Sequence, residues 1–140
     1  MKYIYGLNKS GLSIIDYFNS IEESFIAWDD DEKKRKNVSK IYKKIILKRP
    51  KDLNFSKIQE AYITPGIDLN HINLTELHYH KVVLYRDLEL YSKLITNQKI
   101  IAITGTNGKS TTTKLIGDVI QSNEKNCFVG GNIGKPLVDF

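Results

Sequence analysis

Residues Ile100 to Thr113 read IIAITGTNGKSTTT, and the way this stretch folds decides the architecture on either side of it. Its apolar, β-branched run, Ile100, Ile101 and Ile103, predicts a strand ending at Thr104. The turn Gly105-Thr106-Asn107-Gly108 follows. Lys109 and the hydroxyls of Ser110 to Thr113 then open a helix whose apolar stripe is Leu115, Ile116, Val119 and Ile120. Strand, glycine turn and helix N-terminus in that order aim several backbone N–H groups at one point, the build of a phosphate-binding loop. Gly105 and Gly108 tolerate positive φ and let backbone approach a phosphate oxygen. Lys109 sets a point charge against the outer phosphates, which is the catalytic contribution expected here. Ser110, with Thr111 beside it, offers a hydroxyl to a magnesium ion. The nucleotide expected is ATP or GTP. The general Walker pattern has a glycine five positions before the last one, and position 103 is isoleucine, so this is a G-x-x-G-K-S variant.

Toward the N-terminus, short apolar runs near 2–5, 24–28, 44–47, 60–63 and 82–84 alternate with helical patterns, which predicts α/β architecture with a parallel sheet. A first helix is expected from about Ser10, burying Leu12, Ile15 and Phe18. Asp87 to Leu94 reads as a further helix, and Thr96-Asn97-Gln98-Lys99 is a polar break. The domain boundary is expected there, giving units 1–96 and 97–140. Cys127-Phe128-Val129 predicts a strand beside the phosphate-loop strand. Two strands and one helix cannot close a core of their own. The second unit is therefore expected to leave its apolar side open unless something covers it, and to be cut by proteases beyond residue 95.

The turn Gly6-Leu7-Asn8-Lys9-Ser10-Gly11 is dinucleotide-like, but asparagine stands at the second glycine of G-x-G-x-x-G. That glycine lets backbone touch a pyrophosphate, so a nicotinamide cofactor is disfavoured and a diphosphate held partly by side chains such as Ser10 is favoured. Asp29, Asp30 and Asp31 close the second apolar run. From position alone they either serve a ligand or end a strand and cap the next helix. Asn132 lies in a second glycine-rich string.

Two strings, GTNGKST at 105–111 and GGNIGKP at 130–136, are where the chain resembles the Mur ligase family. The likeness reaches back to the first strand and glycine turn, and to Thr64-Pro65-Gly66-Ile67, where the family usually has serine before the proline. It implies a Rossmann-like UDP-sugar-binding domain followed by the start of a P-loop ATPase-type central domain. It also implies an ADP-forming acid–amino-acid ligase using ATP and Mg2+, with the strongest likeness to members that add D-glutamate to UDP-N-acetylmuramoyl-L-alanine in peptidoglycan synthesis. By the same resemblance the diphosphate would sit near Lys9, Ser10 and Gly11, and the uridine near Asp29, Asp30 and Asp31, where family members often carry Asp-Thr-Arg. The Asn132 amide would touch the UDP-sugar near its reacting end. In such a reaction the substrate carboxylate attacks the γ-phosphate and the amine of D-glutamate displaces the acyl phosphate. Family members continue through the rest of the central domain and a third domain for the amino acid. These 140 residues are thus expected to be an N-terminal portion, inactive alone, which a second polypeptide could complete. Alternatives are a non-catalytic remnant that binds UDP-sugar or nucleotide, and part of another P-loop ligase such as folylpolyglutamate synthase; the UDP-type first domain speaks against the latter.

With 41% hydrophobic and 26% charged residues, the chain has a globular balance and is not disordered. It contains no run near the roughly eighteen apolar residues of a membrane span, and a cytoplasmic setting without a membrane partner is expected. Cys127 is the sole cysteine, read as a buried structural thiol. The net charge of +5 is local: ten Lys or Arg lie between Glu32 and Lys51 against that one acid. Few aromatics interleave them, so a solvated face is expected and no nucleic-acid stripe. His71, His78 and His80 lack partners at metal-ligand spacing and read as surface residues.

Overall fold

Tyr3, Ile4 and Tyr5 are at most 1% exposed. A run buried on both faces is the mark of a central parallel strand. β1 (Lys2–Tyr5) pairs in parallel with β2 (Phe25–Trp28) on one side and β3 (Glu60–Ile63) on the other, Tyr5 lying opposite Trp28 and Ile63. β4 (Val83–Tyr85) adds in parallel to β3, so the order is β2-β1-β3-β4. The helices are α1 (Lys9–Ser20), α2 (Glu32–Ile41), α3 (Thr75–Tyr79), α4 (Asp87–Leu94) and α5 (Lys109–Ser122). The computed structural model describes residues 1–123, 126–131 and 135–139.

The strand alternation divides the core between the two faces of the sheet. On one face Ile4, Ala27 and Tyr62 meet Ile14, Ile15 and Phe18 of α1, Val38 of α2 and Leu90 of α4. On the other, Tyr3, Tyr5, Ala61 and Ile63 meet Leu53, Leu74 and Leu77. This is the Rossmann-like α/β unit expected from the alternation of apolar runs. The buried stripe of α1 includes Ile14, and Leu12 is only half-buried.

Three expected strands are absent among the described residues. At 44–47 the chain is held in a turn, the Ile45 N–H donating to the Tyr42 carbonyl at 3.0 Å. Only a single parallel bridge, Ala27 with Leu47, survives at the sheet edge. Residues 100–103 run beside no strand. With no ladder partner a β-branched run stays irregular, and Ile100 and Ile101 remain exposed. Residues 126–129 are likewise irregular; Val129 packs on Gly117 of α5, and Gly130 makes one isolated bridge to Lys135. Cys127 is half-buried, because its segment has no second layer over it. The helix after the glycine turn does form, starting at Lys109. Leu115 and Val119 of its expected apolar stripe are 62% and 55% exposed.

The end of the chain returns to the first core. Leu137–Asp139 forms a 3-10 turn packed between α1 and α4, and Val138, 7% exposed, joins the cluster of Ile4, Ile14 and Leu90. In the basic segment several cations have local partners. Arg35 lies 4.2 Å from the Trp28 ring centre and donates to the Asp29 carbonyl at 2.7 Å. Lys36 pairs with Glu32 at 2.7 Å, and Arg49 with Asp52 at 2.8 Å. Among the described residues no helix is long and apolar enough to cross a membrane.

Candidate substrate cleft and phosphate loop

β1 sends its chain through α1 to β2 on one side, while β3 and β4 lie on the other. The order therefore reverses between β1 and β3, and a crevice opens above their carboxyl ends. The turn leaving β1 is pinned from below. Gly6 (φ 106°) donates its N–H to the Trp28 carbonyl at 2.7 Å, and the Leu7 N–H donates to Asp29 Oδ2 at 2.7 Å. Gly11 lets α1 start directly against this turn, for a Cβ there would overlap the Gly6 carbonyl. Asn8 stands at the N-cap in an extended conformation and its side chain caps nothing. The first-turn N–H groups of α1 thus keep their capacity for an anion.

These N–H groups border a cleft of about 580 Å³ whose floor is Lys9, Ser10, Thr64 and Gly66 and whose walls are Asp87, Leu88, Gly131 and Leu137. Thr64 is 1% exposed, and its Oγ1 has no hydrogen-bond partner. An unpaired buried hydroxyl is costly, and this one is packed against Gly6, where a Cβ would overlap it. The turn that carries it is held by Arg86, whose guanidinium donates to the carbonyls of Thr64 (2.7 Å) and Ile67 (2.8 Å).

The three aspartates occupy the end of β2 with different partners. Asp29, 6% exposed, accepts from the N–H groups of Leu7 and Asp31 and lies 3.4 Å from Lys34 Nζ. Asp31 is the N-cap of α2, accepting from the Lys33 N–H at 2.8 Å. Asp30 accepts from the Tyr5 hydroxyl at 2.5 Å, Asn73 Nδ2 at 2.9 Å and Trp28 Nε1 at 3.1 Å. Partial burial alone would raise its carboxyl pKa, but these donors outweigh it and hold the carboxyl below its ordinary value. Burial and the Asp30 bond push the Tyr5 hydroxyl well up. Asp30 also borders a second cleft of about 480 Å³, with Trp28, Arg49 and Asn73.

The glycine turn 105–108 lines neither cleft. Gly108 is left-handed (φ 75°) and caps α5 without a side-chain bond. Lys109 Nζ donates to the loop's own carbonyls, Gly105 at 2.6 Å and Thr106 at 3.1 Å. Among the described residues no carboxylate pairs with this amine, and Thr106, Asn107, Ser110 and Thr111 are exposed around it. The loop therefore fits an anionic phosphate chain: open helix N–H groups, a lysine curled over the loop, and a hydroxyl at Ser110. Among the described residues no group of three or more His, Cys, Asp or Glu side chains is placed to hold a metal. A magnesium ion at this loop would meet the Ser110 hydroxyl and the phosphates themselves.

The structure thus brings Lys9, Ser10 and the Thr64-Pro65-Gly66 turn together, sets Asp30 and Asp31 at the neighbouring strand end, and leaves Gly105 to Thr111 on a separate exposed loop. Asn132 lies outside the described residues. Sequence reasoning missed Arg86, Asp87, Leu88 and Leu137. Arg86 carries one local signal, the acid three residues on, since Glu89 accepts from its N–H at 2.8 Å. The cleft walls carry none, because they come from distant parts of the chain.

A doubly wound parallel sheet with an uncapped helix terminus at its switch point defines a Rossmann-like α/β unit. No family model matches the chain. A UDP-N-acetylmuramoylalanine–D-glutamate ligase of Wolbachia pipientis wMel is 38% identical over 144 aligned residues, covering 97% of this chain and 27% of that protein. Ligases of the same name from Rickettsia prowazekii and Caldicellulosiruptor saccharolyticus are 33% and 31% identical, over 96% and 98% of this chain. Along nearly its whole length the chain is similar to these D-glutamate ligases of the Mur type, matching one part of each. It spans under a third of the length of the relatives it matches.

Proposed function

We propose that residues 1–96 form the UDP-sugar-binding domain, and 97–140 the beginning of the ATP-binding domain, of a cytoplasmic ligase that joins D-glutamate to UDP-N-acetylmuramoyl-L-alanine in peptidoglycan synthesis. The observation that carries this reading is the cleft at the β1/β3 switch point, in a chain similar along 97% of its length to ligases of that name. The open N–H groups at Lys9, Ser10 and Gly11 receive the diphosphate, with the Lys9 amine for its charge. Asp30, fixed by Tyr5, Asn73 and Trp28, stands ready as an acceptor for the uridine, while Asp31 shapes the neighbouring turn through its cap. For Asn132, outside the described residues, the family resemblance alone implies contact with the sugar nucleotide near its reacting end. ATP would supply the phosphoryl group and magnesium part of the countercharge. At the loop, Lys109 exchanges the carbonyls of Gly105 and Thr106 for phosphate oxygens, and the backbone N–H groups behind Gly108 orient them.

Calorimetric titration of the 140-residue chain with UDP-N-acetylmuramoyl-L-alanine tests the first half of this reading, and binding is the expected result. An ADP-release assay with that substrate, ATP, Mg2+ and D-glutamate tests the second. These residues alone are expected to give no turnover, and addition of a polypeptide carrying the remainder of the relatives' length is expected to restore it. Sugar binding with no restored turnover would leave a binding module in place of a ligase.

A further inference from the structure

The cleft is not built by the first unit alone. Gly131 and Leu137 form part of its wall, and both come from beyond residue 97. The Gly131 N–H donates to the Lys135 carbonyl at 3.0 Å, which ties the wall to the strap 135–139. The strap is anchored twice: Val138 is buried among Ile4, Ile14 and Leu90, and the Ser13 hydroxyl of α1 donates to the Asp139 carboxylate. Ser13 is itself 5% exposed, so this tether sits one turn below the helix terminus that opens into the cleft. By contrast, Ile100, Ile101, Leu115 and Val119 of the same C-terminal stretch are exposed.

Resting on the reading of the cleft as a UDP-sugar site, we infer that Ser13 and Asp139 are a positioning pair. They fix the strap so that Leu137 and Gly131 close the sugar side of the cleft, while the diphosphate end depends only on α1 and the Thr64 turn. Neither residue touches the ligand. The tether makes selection for the sugar-bearing nucleotide over the bare nucleotide a property shared by the two halves of the chain. Its essential element is the hydrogen bond and not the charge, since a further negative group beside a diphosphate site is no advantage to anion binding.

The test compares UDP with UDP-N-acetylmuramoyl-L-alanine as probes of the full 140-residue chain by calorimetry. Ser13→Ala and Asp139→Ala are each expected to weaken the sugar nucleotide by about fivefold or more and UDP by less than about twofold. The double variant is expected to be no worse than either single one, because both remove one tether. Asp139→Asn, which keeps an acceptor and loses the charge, is expected to restore the wild-type preference. Equal weakening of both probes would mean mere damage to α1 and would overturn the inference, as would no change for either. If the wild-type chain binds neither probe, the reading of the cleft itself falls. If it binds both and the variants leave their ratio unchanged, only the positioning pair falls.

Discussion

Asp29 Oδ2 accepts the Leu7 N–H at 2.7 Å, so the carboxylate that ends β2 also closes the turn that begins α1. Its other oxygen takes the Asp31 N–H at 2.9 Å. Asp29→Ala strands the buried Leu7 N–H and leaves the exposed Asp31 N–H to water, and an unmade buried bond costs about 1–3 kcal/mol. Chemical denaturation is expected to show a loss of about 1–3 kcal/mol. A loss below about 0.5 kcal/mol, the ordinary range of a surface change, would show that the turn holds itself.

Gly11→Ala drives a methyl group into the Gly6 carbonyl. The collision is with backbone, which cannot swing aside, so α1 must shift off the turn at a cost of about 1–3 kcal/mol. UDP-sugar affinity is expected to fall by more than the stability loss explains, because the displaced element carries the anion-binding N–H groups. Gly66→Ala, whose Cβ would meet nothing within 4 Å, is the control for the stability loss alone, since Gly66 lines the cleft.

Lys109→Ala separates binding from folding. The side chain is exposed and, among the described residues, bonds only to its own loop, so stability should change by less than about 0.5 kcal/mol. Binding of ATP with Mg2+, read by fluorescence of a labelled analogue, should weaken about tenfold or more, the loss of one charge-assisted contact. Unchanged nucleotide affinity would remove the loop from the proposed mechanism.

Glu60 gives the fold an acid-sensitive point. Burial would raise its pKa, but bonds from Lys2 (2.7 Å) and Tyr62 (2.8 Å), with Lys93 at 3.5 Å, outweigh it and lower it. A carboxyl depressed on folding contributes stability above its unfolded pKa, about 4.3, and that contribution is lost as pH falls through the folded value. Glu60→Gln is expected to flatten the acid side of the stability profile. Identical acid limbs would show that the cluster contributes nothing.

Much of the first unit was legible because each of its elements carries its own pattern. Tyr3-Ile4-Tyr5, Phe25 to Trp28, Ala61-Tyr62-Ile63 and Asp87 to Leu94 fell where apolar runs and helical spacing put them. The strands expected at 100–103 and 126–129 failed for a different reason. A strand is a relation between segments, and Ile100 and Ile101 are apolar whether or not a partner runs beside them. At 44–47 an apolar run was read as a strand, yet the turn at Tyr42 leaves it only one bridge. In the candidate site, Lys9, Ser10 and the phosphate loop were visible as strings. Of the long-range parts, Arg86 under the Thr64 turn shows locally only through Glu89 three residues on, and Leu137 in the cleft wall leaves no local trace.

The exposed apolar side chains around α5 carry a further expectation. Ile100, Ile101, Leu115 and Val119 are each more than half exposed, and such patches promote association. Light scattering of the chain at high concentration is expected to show self-association that Leu115→Lys with Val119→Lys reduces. Limited proteolysis is expected to cut first in the irregular stretch 95–108. First cuts before residue 90 would contradict this picture.

The burial of Val138 beside Ile4 also bears on how the chain is made. Synthesis proceeds from the N-terminus at about 5–20 residues per second, so the sheet can pair once β4 has emerged, while one place in its interior waits for a side chain dozens of codons away. A nascent chain paused anywhere before that codon would hold a paired but unsealed domain, with Leu90 and Ile14 facing a gap that only its own later residues fill.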